Sequence, residues 1–442
     1  MQECTNAVMH GRARRAQPRK TTRKSILTPA HTLLTVVGLA LAILVCMSAG
    51  PTVHAQSAAP PIVVRSRGTS PSVRVLRTPE FWGSYAIWGA VSNDARGHIW
   101  VGVTSNDDGS ASAHLYEFDP ASSTFTDRGN VVAELERLKI RRPGEKQMKI
   151  HSRIVEAADG YLYFASMDET GEDDNGSKLP TWGGHLWRMR NVAGAQWEHL
   201  AATPEALIAV AGGGPYIYAE GYFNHVIYQF DTRTKKIRSV TAGAAGGHVS
   251  RNFFVDGRGH AFVARVTETA GRLAAFLVEY DTELTELGAA PLPEYFERGR
   301  DDSHGIVSVH PGADGHWYFA TGKGRLYEMV PSPSGPAAVR DLGWFHPAGS
   351  RYVATMFRDE QSGALFGVAL PGSYGGDELE FVRRMPEGRA ALSVFPFGDA
   401  PRFPTGALVY GSMAHDTAGR FYAVGTMSYK PFVLQITPAP QP

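Results

Sequence analysis

Five histidines stand in settings where they could share chemistry: His151 in "MKIHSR", His185 in "WGGHLW", His225 in "YFNHVIY", His248 in "GGHVSR" and His304 in "DSHGIV". Tyr222 and Arg251 lie three residues from His225 and His248. A neutral imidazole can ligate zinc, iron or manganese. It can also act as a general base near neutral pH, where its proton affinity is well matched to the task. Thiols take no part, because Cys4 and Cys46 are the only cysteines and both fall in an N-terminal leader. A metal site would therefore be built from His, Asp, Glu or Tyr.

The elements that position these residues come from an internal repeat. An apolar run, a glycine-containing turn and a second apolar or aromatic run recur seven times, as in "SRIVEAADGYLYFAS" and "NFFVDGRGHAFVAR". The turn glycines are Gly97, Gly160, Gly214, Gly259, Gly315, Gly363 and Gly419, at intervals of 63, 54, 45, 56, 48 and 56 residues. That is the period of a four-stranded propeller blade with loops of varied length. Third strands such as "HVIYQFD" follow most hairpins, and weaker fourth strands such as "KKIRSVT" follow those. The last unit stops after "PFVLQITPAPQP" without a fourth strand, whereas "SVRVLRTP" precedes the first hairpin as a strand in surplus. The expected fold is all-β, a seven-bladed β-propeller over 56–442 whose N-terminal strand closes the last blade. "NVVAELERLKI" at 130–140 is the one helix expected, between blades 1 and 2.

This topology sorts the histidines. The first strand of each blade starts on one face, here called upper, and the hairpin turn lies on the opposite, lower face. His151, His248 and His304 precede their turn glycines by 9, 11 and 11 residues and so lead into first strands. His185 and His225 fall at junctions between second and third strands, which reach the same upper face. Tyr222 and Arg251 belong to that layer. His98, His260, His316, His310 and His415 lie at or near hairpin turns and are expected to be solvated residues of the lower face. His114 and His199 receive no assignment.

Residues 1–55 read as a leader: a basic stretch, the apolar run "LLTVVGLALAILVCMSAG", and small residues suited to cleavage after Ala55. An uncleaved N-terminal anchor is the competing reading, since the run approaches spanning length. A secreted or periplasmic location follows, with no membrane association of the mature form. The leader holds seven basic residues and one acid, so of the whole chain's net +1 the remainder carries −5. That balance gives no footing for nucleic acid. With no disulfide available, stability must come from a large core. The mature chain is expected to be a monomer.

His, Tyr and Arg together suit cleavage of a uronate-containing polysaccharide by β-elimination. Arginine neutralises the carboxylate so that the adjacent C–H becomes acidic, a base removes that proton, and an acid protonates the departing glycosidic oxygen. A pair of catalytic carboxylates, as glycoside hydrolases require, is not needed. "KIHSRIVEAADGYLYFAS", "GGHLWRM", "YFNHVIYQFD" and "HVSRNFFVDGRGHAFVA", within 147–265, resemble segments of exported seven-bladed propeller polysaccharide lyases of the ulvan lyase type. The resemblance implies His151 and His185 flanking the scissile bond, Arg251 as carboxylate neutraliser and a tyrosine as the acid or the combined acid and base, best matched by Tyr222, with Tyr218 and Tyr228 as alternatives. His225, His248 and His304 would then hold substrate or a divalent metal (zinc, calcium or manganese), with no organic cofactor. The partner implied is an acidic polysaccharide or oligosaccharide. The insertion "MDETGEDDNGSKLPTW" departs from the pattern by widening the gap between His151 and His185, and reads as a solvated lip. Two other classes stay open: a non-catalytic exported propeller that binds glycan or protein, and a metal oxidase with histidine ligands.

Overall fold

In a computed structural model the strand pattern resolves into seven antiparallel sheets arranged as the blades of a propeller. The described residues are 71–438, except 107–108, 174–175, 297–304, 313, 360–361, 371–377, 386–389 and 397–406, with the short strands Ala55–Gln56 and Ile62–Val64. The expected leader before Ala55, and His304, lie outside them. Among the described residues no helix is long and apolar enough to cross a membrane.

Blade 3 shows the unit in its plainest form. Its strands Leu207–Gly213, Tyr216–Gly221, Val226–Asp231 and Ile237–Thr241 pair in chain order, each antiparallel to the last. Burial falls over the outer strands. Tyr216–Gly221 is buried along nearly its whole length, whereas Ile237–Thr241 alternates exposed and half-buried. An inner strand has a neighbouring blade on each face and so reads as a continuous apolar run. An outer strand has one wet face and alternates. Trp100, Trp187, Trp197, Tyr116, Tyr163 and Tyr218 are fully buried and fill the space between blades.

All seven hairpin glycines adopt positive φ, from 56° at Gly214 to 87° at Gly259. A left-handed residue is what the tight reversal demands, and glycine takes it without a Cβ penalty. An aspartate braces several of these turns. Asp94 and Asp256 each accept the N–H groups of the residues two and four further on, at 2.9 and 3.0 Å in both cases.

The ring closes as the surplus strand required. Ser72–Arg77 pairs antiparallel with Lys430–Thr437, from Ser72 opposite Thr437 to Arg77 opposite Phe432. Arg74 donates to Gln435 Oε1 at 2.9 Å across the join. Ile62–Val64 continues that sheet outwards, and Ala55–Gln56 adds an edge to blade 1 by pairing with Phe125 and Thr126. The expected cleavage point after Ala55 falls inside this last pair. The helix forms over Val131–Arg137, capped by the Asn130 side chain, which accepts the Ala133 N–H at 2.9 Å.

Candidate functional site

The run into blade 2 is pinned before it becomes a strand. Lys149 and Met167 exchange both backbone hydrogen bonds, and Ile150 is wholly buried. His151 is thereby held against the axis with both ring nitrogens engaged. Nε2 meets Arg251 Nη1 at 3.1 Å, and Nδ1 meets the Ile208 carbonyl of blade 3 at 3.0 Å. A guanidinium can only donate, so Nε2 accepts and Nδ1 carries the proton. Burial, with the charges of Arg251 and Lys149, holds this imidazole well below its ordinary pKa. His151 is neutral, and its tautomer is fixed.

Arg251 reaches the axis from the loop before Phe254–Val255. Its backbone N–H and that of Asn252 both donate to the Ile306 carbonyl, at 3.1 and 2.9 Å. Its guanidinium lies 5.7 Å from the ring of Tyr410 in blade 7. Three blades therefore place one charge: blade 4 supplies it, blade 2 orients it and blade 7 faces it with an aromatic ring. Beyond Tyr410 runs an aromatic wall. Trp88 packs on Tyr410 at 4.7 Å, Tyr85 on Trp88 at 5.9 Å and Tyr429 on Tyr85 at 5.4 Å. Lys149 Nζ sits 5.5 Å from the Trp88 ring and pairs with Glu169 of the acidic lip.

His185 belongs to a different group. Its Nε2 donates to the buried Glu145 carboxylate at 3.0 Å, and its Nδ1 lies 2.9 Å from His199 Nε2. One proton must sit between the two imidazoles. Burial would raise the Glu145 carboxyl, but hydrogen bonds from His185 and Arg142 outweigh it and bring the pKa down to about 2. Burial and the nearby His185 lower His199 to about 4. Sequence reading left His199 and Glu145 unassigned. The signal for His199 was the strand pairing: Trp187, two residues beyond His185, lies opposite His199 in the sheet.

His225 and His248 form a third group, between blades 3 and 4. His225 Nδ1 donates to the Ala264 carbonyl at 2.6 Å, and its Nε2 accepts the Ser250 N–H at 3.0 Å. Burial lowers it to about 4. His248 packs edge-on against His225 and shares a 3.0 Å hydrogen bond with the Tyr295 hydroxyl. Glu220 lies 3.9 Å from His225 Nδ1 with neither oxygen hydrogen-bonded among the described residues, and burial raises its pKa well above the ordinary value. Tyr222 follows it in the loop, its N–H on the Ala206 carbonyl and its ring against Phe223 at 4.2 Å.

The expected site thus divides. The structure joins His151 to Arg251 and His225 to His248, and sets His185 with Glu145 and His199. The divalent metal fits poorly on these residues, because both nitrogens of His225 are committed to backbone and one of His248 to Tyr295. Among the described residues, the one group of three donors close enough for a metal is Asp94, His98 and Glu117 on the lower face. Arg96 Nη2 already lies 2.8 Å from both carboxylates there. The lower-face histidines also need correction. His98, His260 and His316 are not simply solvated: each Nδ1 is bonded to a carboxylate of its own third strand, Glu117, Glu279 or Glu328, at 2.7 to 2.8 Å.

No family model and no curated protein matches the sequence. Solved structures match at the level of the fold. The extracellular domain of the putative one-component system BT4673 from B. thetaiotaomicron shares 12% identity over 82% of this chain, with a TM-score of 0.48. This chain spans only 39% of that one. YCF48 from Cyanidioschyzon merolae (12% identity, 82% of this chain and 98% of that one, TM-score 0.47) is similar to the same extent. So are the RRP9 WD40 repeats (12%, 85% and 99%, TM-score 0.49). These likenesses carry no argument about function.

Proposed function

We propose that this protein is an exported propeller that binds an acidic, uronate-bearing polysaccharide or oligosaccharide on its upper face, with Arg251 as the carboxylate receptor. The observation that carries the reading is the placement of Arg251 by a neutral imidazole and an aromatic face. Both orient the guanidinium, and a guanidinium fork so oriented is suited to pairing bidentately with a carboxylate. Lys149 adds a second cation nearby. Tyr85, Trp88, Tyr410 and Tyr429 offer broad apolar faces with polar edges, the surface against which a sugar ring packs.

Lyase chemistry is the second reading, favoured by the 3.1 Å contact between Arg251 and His151, which brings the carboxylate neutraliser and the expected base together. A uronate bound to Arg251 would have to draw the guanidinium off Nε2 before that nitrogen could take the C–H proton. The C–O bond to the leaving sugar would then break as the ring double bond forms, with Tyr222 protonating the oxygen. His185 would not flank the bond, being engaged with Glu145 and His199.

One experiment addresses both. The protein and its Arg251→Gln variant are titrated calorimetrically with a panel of uronate polysaccharides while the absorbance of an unsaturated uronate is followed. Saturable binding that Arg251→Gln weakens at least a hundredfold, with a flat absorbance, is the expected result. A rise in absorbance lost in His151→Gln would replace the binding module with a lyase. No binding to any acidic glycan would remove both.

A further inference from the structure

The row of rings beyond Tyr410 is built by two elements that meet at the seam of blades 7 and 1. One is the run ahead of the first strand of blade 1, which is stitched to blade 7. Thr426 Oγ1 donates to the Tyr85 carbonyl at 2.8 Å, and the Ile87 N–H donates to the Gly425 carbonyl at 3.3 Å. Gly89, next to Trp88, lies against the axis, where an added Cβ would fall 3.7 Å from His151 Cε1. The other element is the turn between Phe421–Met427 and Lys430–Thr437, the second and third strands of blade 7, which the topology puts on the upper face. Tyr429 stands at its tip. Exposure rises along the row: Tyr410 is 4% exposed, Trp88 and Tyr85 are half-buried, and Tyr429 is 62% exposed. Successive ring centroids lie 4.7, 5.9 and 5.4 Å apart, and the last pair is stacked at 21°. The row thus leads from the Arg251 end of the face to open solvent.

That tip is an unfavourable place for a tyrosine. Met427 and Lys430 pair directly, so Ser428 and Tyr429 form a two-residue turn, with φ of 48° and 60°. Positive φ at both central residues is the mark of a type I′ turn, which selects Asn-Gly, Asp-Gly or Gly-Gly. A residue with a Cβ is strained there, and a bulky one most of all. The corresponding turn of blade 4, between Thr269 and Arg272, meets the same demand with Gly271 in the second place, at φ 74°. Blade 7 keeps a tyrosine there and leaves most of it in solvent, with Tyr85 stacked on its ring. Strain retained at an exposed side chain points to a use for that side chain. Charge is distributed unevenly along the row. Arg251 and Lys149 stand by the rings of Tyr410 and Trp88 at the axial end. At the rim Lys430 pairs with Glu80 at 3.4 Å, so a carboxylate arriving there would meet a negative charge as well as a positive one.

We infer that the upper face holds an oligosaccharide lengthwise along this row, its uronate at Arg251 and uncharged sugar rings over Trp88, Tyr85 and Tyr429. Resting on the acidic-glycan reading, this adds a direction, a minimum length and a chain class, in which uronate alternates with neutral sugar. Three ring-to-ring steps separate Tyr410 from Tyr429, so a ligand must be longer than a disaccharide to cover the row. Aromatic rings offer an apolar face to the C–H groups of each sugar and, through the tyrosine hydroxyls, a polar edge to its oxygens.

The test is calorimetric titration with a disaccharide and a hexasaccharide of an alternating uronate–neutral chain, and with a hexasaccharide of uronate alone. The alternating hexasaccharide is expected to bind at least tenfold tighter than the disaccharide. In Tyr429→Gly that ratio should fall about fivefold, with a thermal midpoint at or above that of the wild type. Arg251→Gln should weaken both lengths alike. Equal affinity for the two lengths overturns the inference, as does a ratio unchanged in both Tyr429→Gly and Tyr85→Leu. Binding that still depends on Arg251 would in either case leave the functional reading standing. A uronate hexasaccharide that binds as tightly as the alternating one overturns the neutral class. A midpoint lowered in both Tyr429→Gly and Tyr429→Asn would make the ring a piece of scaffold and likewise overturn the inference. No binding of any of the three chains removes the functional reading itself.

Discussion

The two faces of the propeller use histidine in opposite ways. On the lower face the same arrangement is built twice. In blade 1, Asp94, Arg96, His98 and Glu117 interlock through a 2.8 Å Arg96–Glu117 contact and a 2.7 Å His98–Glu117 contact. In blade 4, Asp256, Arg258, His260 and Glu279 do so at 3.0 and 2.7 Å. Among the described residues of the upper face no arrangement recurs: His151 is set against Arg251, His185 against Glu145 and His199, His225 against two backbone groups. A constellation that works equally well in blades 1 and 4 answers to the blade, since nothing outside the blade is shared between them. One that occurs once answers to its place on the ring. Repetition therefore marks scaffold, and a group that occurs once is where a specific role is to be sought.

Stability measurements put that contrast to the test. The largest effect is expected at His225, a stitch between blades. His225→Ala strands the Ser250 N–H and the Ala264 carbonyl in a buried interface, at a cost of about 2–4 kcal/mol. Denaturant unfolding would measure it, and a loss under about 0.5 kcal/mol would remove the stitch role. Next comes pH. His199 and His225 titrate near 4 in the fold against 6.5 when free, so the unfolded chain binds more protons between those values. The stability they contribute is complete above pH 6.5 and is lost as pH falls from 6.5 to 4. Glu145, at about 2 against 4.5, adds a second loss as pH falls from 4.5 to 2, and Glu145→Gln should abolish that lower step. Urea midpoints across this range give both steps, and a flat curve from pH 7 to 3 would contradict the assignment.

Smaller effects test the scaffold. His98→Ala and His260→Ala should each cost about 1 kcal/mol, agree within about 0.5, and add in the double variant, because they sit in separate blades. Unequal losses would show that the two constellations are alike in shape only. At the lower end, Gly160→Ala should cost about 1 kcal/mol from positive φ alone, since its added Cβ would meet nothing within 4 Å. Gly97→Ala should cost more, its Cβ falling 2.9 Å from Thr417.

The contrast also explains what could be read from the chain. Hairpins were legible because their demands are local: a glycine at positive φ, an aspartate two residues from the N–H it receives, and strand periodicity on either side. Closure by "SVRVLRTP" was legible as one strand in surplus and one in deficit. The face on which His151 and Arg251 stand followed from counting back from a turn. Their partners did not. Ile208 lies 57 residues from His151 and Ala264 lies 39 from His225, and both contribute a backbone carbonyl, which no residue type announces. Glu145 and His199 escaped for a related reason, since their link to His185 depends on loop and strand register rather than on spacing.

Closure of the ring also sets the order in which the protein can be finished. Ile62–Val64 and Ser72–Arg77 are the two outer strands of the last blade, yet they are the first of that blade to be synthesised. The partner of Ser72–Arg77 follows only at Lys430–Thr437, and the Arg74–Gln435 contact spans 361 residues. Until then, six blades can assemble behind one another while a single edge waits unpaired at each side of the gap. Contacts of such long sequence separation form late and slowly, and an open strand edge invites pairing with other chains. The hazardous moment for this protein is therefore the interval before the circle shuts, and a chaperone that shields one strand edge would be protecting the whole ring.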